Sequence, residues 1–417
     1  MSSWATRRLE RPIATLPPLD AEHKPNLEFC LEEKASSAGT AISKISIHPQ
    51  PASNGFLSLP TELLSQIMSH FAEIRDEHLM MSTYYIGSGS NSEDLLARFS
   101  TLRALSQLSN LSRHIFLPLL WERFQACLTP KPGWQWHSYI GHALERRCKG
   151  LLESMHLWPH VKVVTVTISE FKSSQVIPPF VQLLSKLPNV HTLEVLYVTT
   201  NIPSRRFFEY YFTGWSFPSI KKAVLPAYAR DILRCCPNVK EITCNRDLGG
   251  SGELVDTLAR IRCSKLEVIR GFTIGPVLLK RLSKTSPSLR CVRIDGRVFT
   301  RKNPTEDKLQ LSAYSTLLSL REIEIECFDD NDLELSVKRA INVLRICAES
   351  KLATTNRHLQ KNANSTSSAV VNYKSVDDRP RLVRVLRYTY KPVYGRTPSD
   401  FVPVKVEEFP VKTKSSS

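Results

Sequence analysis

A short pattern recurs down the middle of this chain and constrains its fold more than any other feature. It reads Pro, a small or polar residue, an apolar residue, two variable residues, an apolar residue, one variable residue, an apolar residue. Pro159, His160 and Val161 lead to Val164 and Val166, and Pro188, Asn189 and Val190 lead to Leu193 and Val195. Pro218, Ser219 and Ile220 lead to Ala223 and Leu225, and Pro237, Asn238 and Val239 lead to Ile242 and Cys244. Ser264, Lys265 and Leu266 lead to Ile269, with Gly271 a weak last position. Pro287, Ser288 and Leu289 lead to Val292 and Ile294, and Leu318, Ser319 and Leu320 lead to Ile323 and Ile325. The first apolar positions recur on average about every 26–27 residues, a period that marks a stacked-repeat architecture.

Alternate residues of a strand point to opposite faces, so each unit predicts one strand. Helical patterns lie between them at 181–187, 254–261 and 277–282. A strand and a helix in every unit predict the α/β class, as a solenoid with a curved parallel sheet inside and helices outside. A doubly wound sheet is the rival. Even spacing and the recurring Pro favour the solenoid, and no Gly-rich phosphate turn supports the rival. Val161, Val190, Ile220, Val239, Leu266, Leu289 and Leu320 are expected in the core. The residues between the apolar strand positions are expected to face the groove, which puts Arg270, Arg293, Glu322 and Glu324, with Glu326 beyond, on a candidate substrate surface. Arg270 and Arg293 would sit on neighbouring strands, placed to grip a carboxylate or phosphate bidentately.

The 417 residues exceed one compact core, so two or more units are expected. Hydrophobic content of 42% excludes wholesale disorder,. No apolar run is long enough for a membrane span, and the N-terminus lacks an apolar signal-peptide core. Ten cysteines without a secretory signal, and without a C-x-x-C pair, read as reduced and mostly buried thiols,. That places the chain in the cytoplasm, the nucleus or both. The net charge is +16. From Lys351 onward there are thirteen Lys or Arg against five Asp or Glu. Aromatic residues are not interleaved there for base stacking, so a solvated tail is expected rather than a nucleic-acid site.

No phosphate-loop, zinc-protease or nucleophile-elbow motif occurs. His156 and His160 are one helical turn apart, but Pro159 lies between them. Asp329, Asp330 and Asp332 lack calcium-loop spacing,. No active site, cofactor or metal is therefore expected.

Upstream of the repeats lies Leu59-Pro60-Thr61-Glu62-Leu63-Leu64-Ser65-Gln66-Ile67-Met68-Ser69-His70-Phe71. A Pro at a helix start costs little, because that N–H has no intrahelical partner. Leu63, Leu64, Ile67, Met68 and Phe71 fall on one helical face. The Leu-rich stretch 102–113 reads as a second helix, and Leu117, Pro118, Leu119, Leu120, Trp121, Glu122, Arg123 and Phe124 follow it. In this order the parts resemble an F-box, the helical module that docks on the Skp-type adaptor of a cullin-RING ubiquitin ligase. With the repeats, the chain is similar to the F-box/leucine-rich-repeat substrate receptors of such ligases. The resemblance covers about 56–325, or to 390 with a divergent strand at 380–387.

That resemblance implies an α/β leucine-rich-repeat solenoid preceded by a small all-α module. It implies that Leu59, Pro60, Leu63, Leu64, Ile67, Leu117 and Trp121 face the adaptor or the module's core. The partners implied are a Skp-type adaptor and a protein substrate of unknown identity. The expected organisation is a disordered leader (1–55), the F-box-like module (56–124), a connecting helix (125–157), the solenoid (158–395) and a tail (396–417). A flexible Gly/Ser loop is expected inside the module at about 75–100, longer than F-boxes usually carry. Residues 351–379 are expected as a polar loop. Two alternatives stay open: a repeat scaffold whose helices only cap the solenoid, and a basic nucleic-acid binder.

Overall fold

The computed structural model describes residues 60–71, 90–128, 136–169, 171–198, 207–244, 251–272, 275–295, 312–327, 333–363, 381–387 and 405–411. The leader, Leu59 and the Asp329–Asp332 acids lie outside them. The chain is α/β. Ten strands form one sheet in which spatial order follows chain order from end to end.

Among the described residues, three helices come first: α1 (Thr61–Ser69), α2 (Ser90–Leu105) and α3 (Asn110–Trp121). Strand β1 (Arg123–Ala126), helix α4 (Trp136–Glu153) and a 3-10 helix (Met155–His160) lead to β2 (Val163–Ile168). Then come α5 (Ser173–Lys186), β3 (Thr192–Val198), α6 (Phe207–Phe212), β4 (Lys222–Leu225), a second 3-10 helix (Ala227–Cys235) and β5 (Glu241–Cys244). The chain continues through α7 (Ser251–Ile261), β6 (Val268–Arg270), α8 (Pro276–Thr285), β7 (Cys291–Asp295) and β8 (Glu322–Cys327). It closes with α9 (Leu333–Ala363), β9 (Arg381–Arg387) and β10 (Lys405–Val411). Strands β1 to β9 are parallel, and β10 pairs antiparallel with β9.

The recurring Pro has a local cause. Val161, Ile220, Val239 and Leu289 each donate their N–H to the carbonyl three residues back, at 3.1–3.2 Å. Pro159, Pro218, Pro237 and Pro287 thus occupy the second position of a four-residue turn, where a fixed φ is already correct. The last turn residue is the first apolar position of the pattern. All seven such residues are at most 1% exposed, as expected. Each strand starts two residues later, at Val163, Thr192, Lys222, Glu241, Val268, Cys291 and Glu322.

Register then aligns the apolar strand positions. Val164, Leu193, Ala223, Ile242, Ile269, Val292, Ile323 and Val383 form one row, each paired with the next. These residues share one continuous core with the inward faces of the helices, including Leu144, Phe180, Ile232, Leu258, Leu282 and Leu344. Strand β6 is short because Gly271 follows at φ +71°, and a Cβ there would lie 2.2 Å from the Cys244 carbonyl oxygen. Only glycine fits that approach.

Five expectations are corrected. The Gly/Ser loop ends earlier than about residue 100, because α2 begins at Ser90. The single helix expected at 102–113 is two helices. Ser109 caps α3 by accepting the Ser112 N–H at 3.1 Å, and the Ser112 hydroxyl donates to the Leu105 carbonyl. The polar loop expected from 351 is helical to Ala363; Lys351, Leu352 and Arg357 are exposed there, so no apolar stripe marked the helix. The expected tail contains β10. Its Val406 is exposed and Val411 buried, and Pro410 is tolerated because β10 ends the sheet,. The boundary expected at 124/125 falls inside β1.

Nine cysteines are described, and all are buried and unbridged. Burial pushes the thiols of Cys235 and Cys263 up to about 11, and of Cys127 and Cys347 up to about 12. Thiolates are the reactive form. A thiol-reactive chromophore at pH 8 is expected to label no more than one cysteine of the folded chain, and all ten after denaturation. Rapid labelling of several thiols in the native state would contradict this core. Among the described residues, no helix is long and apolar enough to cross a membrane.

Candidate functional site

Two surfaces stand out: the helical module ahead of the sheet, and the sheet face turned away from the main core.

The module has its own small core of Leu64, Leu102, Phe116 and Leu120, with Phe71, Phe99, Leu105 and Ile115 packed against it. The apolar stripe of α1 is only partly used. Leu64 is 3% exposed, whereas Leu63 is 44% and Ile67 40% exposed. Leu63 and Ile67 lie one turn apart on the flank of the stripe, where no neighbour covers them fully. Pro60 is exposed just before the helix, and its carbonyl accepts the Leu64 N–H at 3.2 Å. Leu117 and Trp121 are half-buried and pack against both this core and the main one. Leu108, in the turn between α2 and α3, and Leu111, in the first turn of α3, are 72% and 59% exposed. The sequence pattern put both inside one helix, which holds for Leu111 but not for Leu108, and gave no sign of their exposure. The Ser-Asn pair after Leu108 was the signal for a helix start.

The other sheet face is built by register. Thr165, Glu194, Val224, Thr243 and Arg270 follow one another across β2 to β6. Arg293, Glu324, Arg384 and Glu408 follow across β7 to β10. The β1–β4 half is mostly neutral, with a minor apolar cluster of Cys127 and Leu196 against Tyr197 and Val224. Its carboxylate, Glu194, accepts from the Thr165 hydroxyl at 2.8 Å.

The C-terminal half is an ion-pair network centred on Glu324, which is 3% exposed. Arg270 Nε and Nη2 donate to the two Glu324 oxygens at 3.0 and 3.4 Å. Arg293 Nε donates to Glu324 at 2.6 Å, and Arg384 lies 3.8 Å from it. Burial opposes ionisation of Glu324, but the Arg270 and Arg293 guanidiniums outweigh it and hold the carboxyl below its usual range. Arg270 also bonds Glu241, which meets Lys222 at 3.0 Å. Arg384 pairs with Glu322 and Glu408.

This corrects the groove expected from sequence. Arg270 and Arg293 do lie on adjacent strands. Yet the bidentate grip is made on Glu324 of the same chain, so these arginines do not stand open for a partner's carboxylate or phosphate. Glu322 and Glu324 are likewise engaged from within. Sequence reasoning missed Arg384, whose signal was its place one residue before Val385 in the divergent strand.

Cys291, Glu322 and Glu324 bring their donor atoms within 4.8 Å of one another. The Cys291 thiol is pushed up to about 12, first by burial and then by the two glutamates. A metal-binding thiol must be deprotonated, and guanidiniums already neutralise the carboxylates. The donor set suits an ion-pair cluster, not a cation. His156 and His160 lie in the first 3-10 helix, not on an α-helical face.

No family model matches the chain, and no curated protein matches it either.

Proposed function

We propose that this chain is a substrate receptor of a cullin-RING ubiquitin ligase, built from an F-box-like module and a leucine-rich-repeat solenoid. It links a target protein to a Skp-type adaptor and performs no catalytic step itself. The observation that carries the reading is the exposed apolar side chains Leu63, Ile67, Leu108 and Leu111 on a module with its own small core. Several large apolar side chains left exposed on one small module favour a docking surface. The solenoid reading is supported by strand order that follows chain order and by one turn, strand and helical segment in most repeats. Nine buried, unbridged thiols suit a reducing compartment, the cytoplasm or nucleus,.

Burying one Leu or Ile side chain is worth ~1.5–3 kcal/mol. Leu63→Ala with Ile67→Ala is therefore expected to weaken adaptor binding at least about tenfold. Because both side chains are exposed, the melting temperature should hardly move. Calorimetric titration with a purified Skp-type adaptor makes the test. Equal binding by both proteins, or binding by neither, rejects the reading.

The scaffold alternative has its own support. Leu117 and Trp121 join the module's core to the main core, and β1 follows α3 directly. That is how capping helices would be fixed to the first strand. Absence of adaptor binding, with a folded module, favours it.

A further inference from the structure

Each strand from β2 to β8 is entered through the same hydrogen-bonded step. The residue just before a strand donates its N–H to the residue just before the previous one. His191 bonds Lys162 at 3.0 Å, Lys221 bonds His191 at 2.8 Å, and Lys240 bonds Lys221 at 2.7 Å. Glu267 bonds Lys240 at 2.7 Å, then Arg290 bonds Glu267 and Arg321 bonds Arg290, both at 2.8 Å. Lys162 itself bonds Glu122 at 2.9 Å. These residues form one row along the edge of the sheet, neighbours about one strand spacing (~4.8 Å) apart.

The row is basic. Lys162, His191, Lys221, Lys240 and Arg290 are exposed. Glu122 offsets Lys162 at 3.3 Å, and Glu267 is shared by Lys240 and Arg290 at 3.0 and 2.9 Å. Lys221 has no carboxylate within ion-pair distance among the described residues. Lys265, exposed beside the row, donates to the neutral Asn238 Oδ1 at 2.6 Å and meets no carboxylate among the described residues. Basic residues also end helices α5, α7 and α8 at Lys186, Arg260 and Lys284. Those have a structural reason, since cations complement a helix C-terminus. Lys221 and Lys265 have no such reason.

We propose that this strand-entry edge, centred on His191, Lys221, Lys240 and Lys265, binds an acidic polypeptide segment. A protein segment fits better than nucleic acid for two reasons. Glu122 ends the row and Glu267 interrupts it, so an unbroken polyanion meets a carboxylate at each, whereas a polypeptide can place a neutral residue opposite them. The row also holds no Phe, Tyr or Trp, the large rings on which bases stack best; its one ring is the small imidazole of His191,. The proposal rests on the receptor reading only in calling this segment part of a substrate.

The test uses the full chain without adaptor, so the two ideas fail separately. A fluorescent peptide of alternating Glu and Ser, its Gln-for-Glu counterpart and a single-stranded oligothymidylate are titrated by anisotropy. The Glu peptide is expected to bind, more weakly as salt rises. Lys221→Glu with Lys265→Glu should weaken it at least about tenfold, with unchanged circular dichroism, because exposed charges tune association without supporting the core. Lys412→Glu with Lys414→Glu should leave it unchanged. Undiminished binding by the edge variant, equal binding of the Gln peptide, or loss through the tail variant overturns the proposal. Tighter, edge-dependent binding of the oligonucleotide overturns it in favour of nucleic acid.

Discussion

Replacing Leu289 with Asp is expected to unfold the repeats around it. Leu289 closes the turn before β7 and is 1% exposed. It packs in the continuous core that also holds Leu266 and Leu320. A carboxylate there would sit among the apolar side chains of that core. An unpaired buried charge belongs to the few changes that cost more than about 4–5 kcal/mol, against a total domain stability of about 5–15 kcal/mol. Leu289→Ala removes packing alone and should cost ~2–5 kcal/mol, giving a folded protein with a lower melting temperature. Ser288→Asp, one residue earlier and exposed, should be harmless. Solubility, circular dichroism and thermal melts separate the three. An Asp variant that melted like wild type would place Leu289 at the surface and break the register of the whole row.

The strands were legible in sequence because their causes are local. A Pro at the second turn position and apolar residues at alternate places need only about eight residues to declare themselves. Hence Val161, Ile220 and Leu289 were assigned correctly without knowledge of any neighbour. The C-terminal half of α9 was not legible, because a solvated helix has no stripe to read. Strand β10 was hidden by Pro410, which signals a strand only to a reader who knows that it lies at an edge.

The site was legible in composition but not in geometry. Alternation put Arg270, Arg293, Glu322 and Glu324 on the same sheet face. It could not say that Arg270 reaches two strands away to Glu324 on β8, or that Arg384, more than ninety residues further along than Arg293, completes the cluster. Pairings between distant strands follow from register, which the turns and the core impose only after folding. The basic edge row shows the converse. Its members directly follow the first apolar position of each repeat, so the row was readable once those positions were aligned.

Glu324→Gln is expected to destabilise the protein at neutral pH and to change its response to acid. The amide cannot neutralise Arg270 and Arg293, whose guanidiniums converge on this carboxylate from two strands. Removing one partner of a buried pair typically costs ~3–5 kcal/mol. Partial exposure of the arginines, 20% and 26% for their side chains, lowers the expectation to about 2–3 kcal/mol, since exposed pairs are screened. The sign with pH follows from the lowered folded-state value. The stabilisation is fully present above the unfolded carboxyl value of about 4.3 and is lost as pH falls through the folded one. The urea midpoints of wild type and Glu324→Gln should therefore differ most at pH 7 and converge in acid. The same geometry makes reversal of both arginines to Glu a poor probe of partner capture. It would crowd new carboxylates around Glu324 and should unfold this half of the sheet first. If Glu324→Gln matched wild type at pH 7, with the same acid response, the two guanidiniums would be solvated in solution and free to hold a partner's anion.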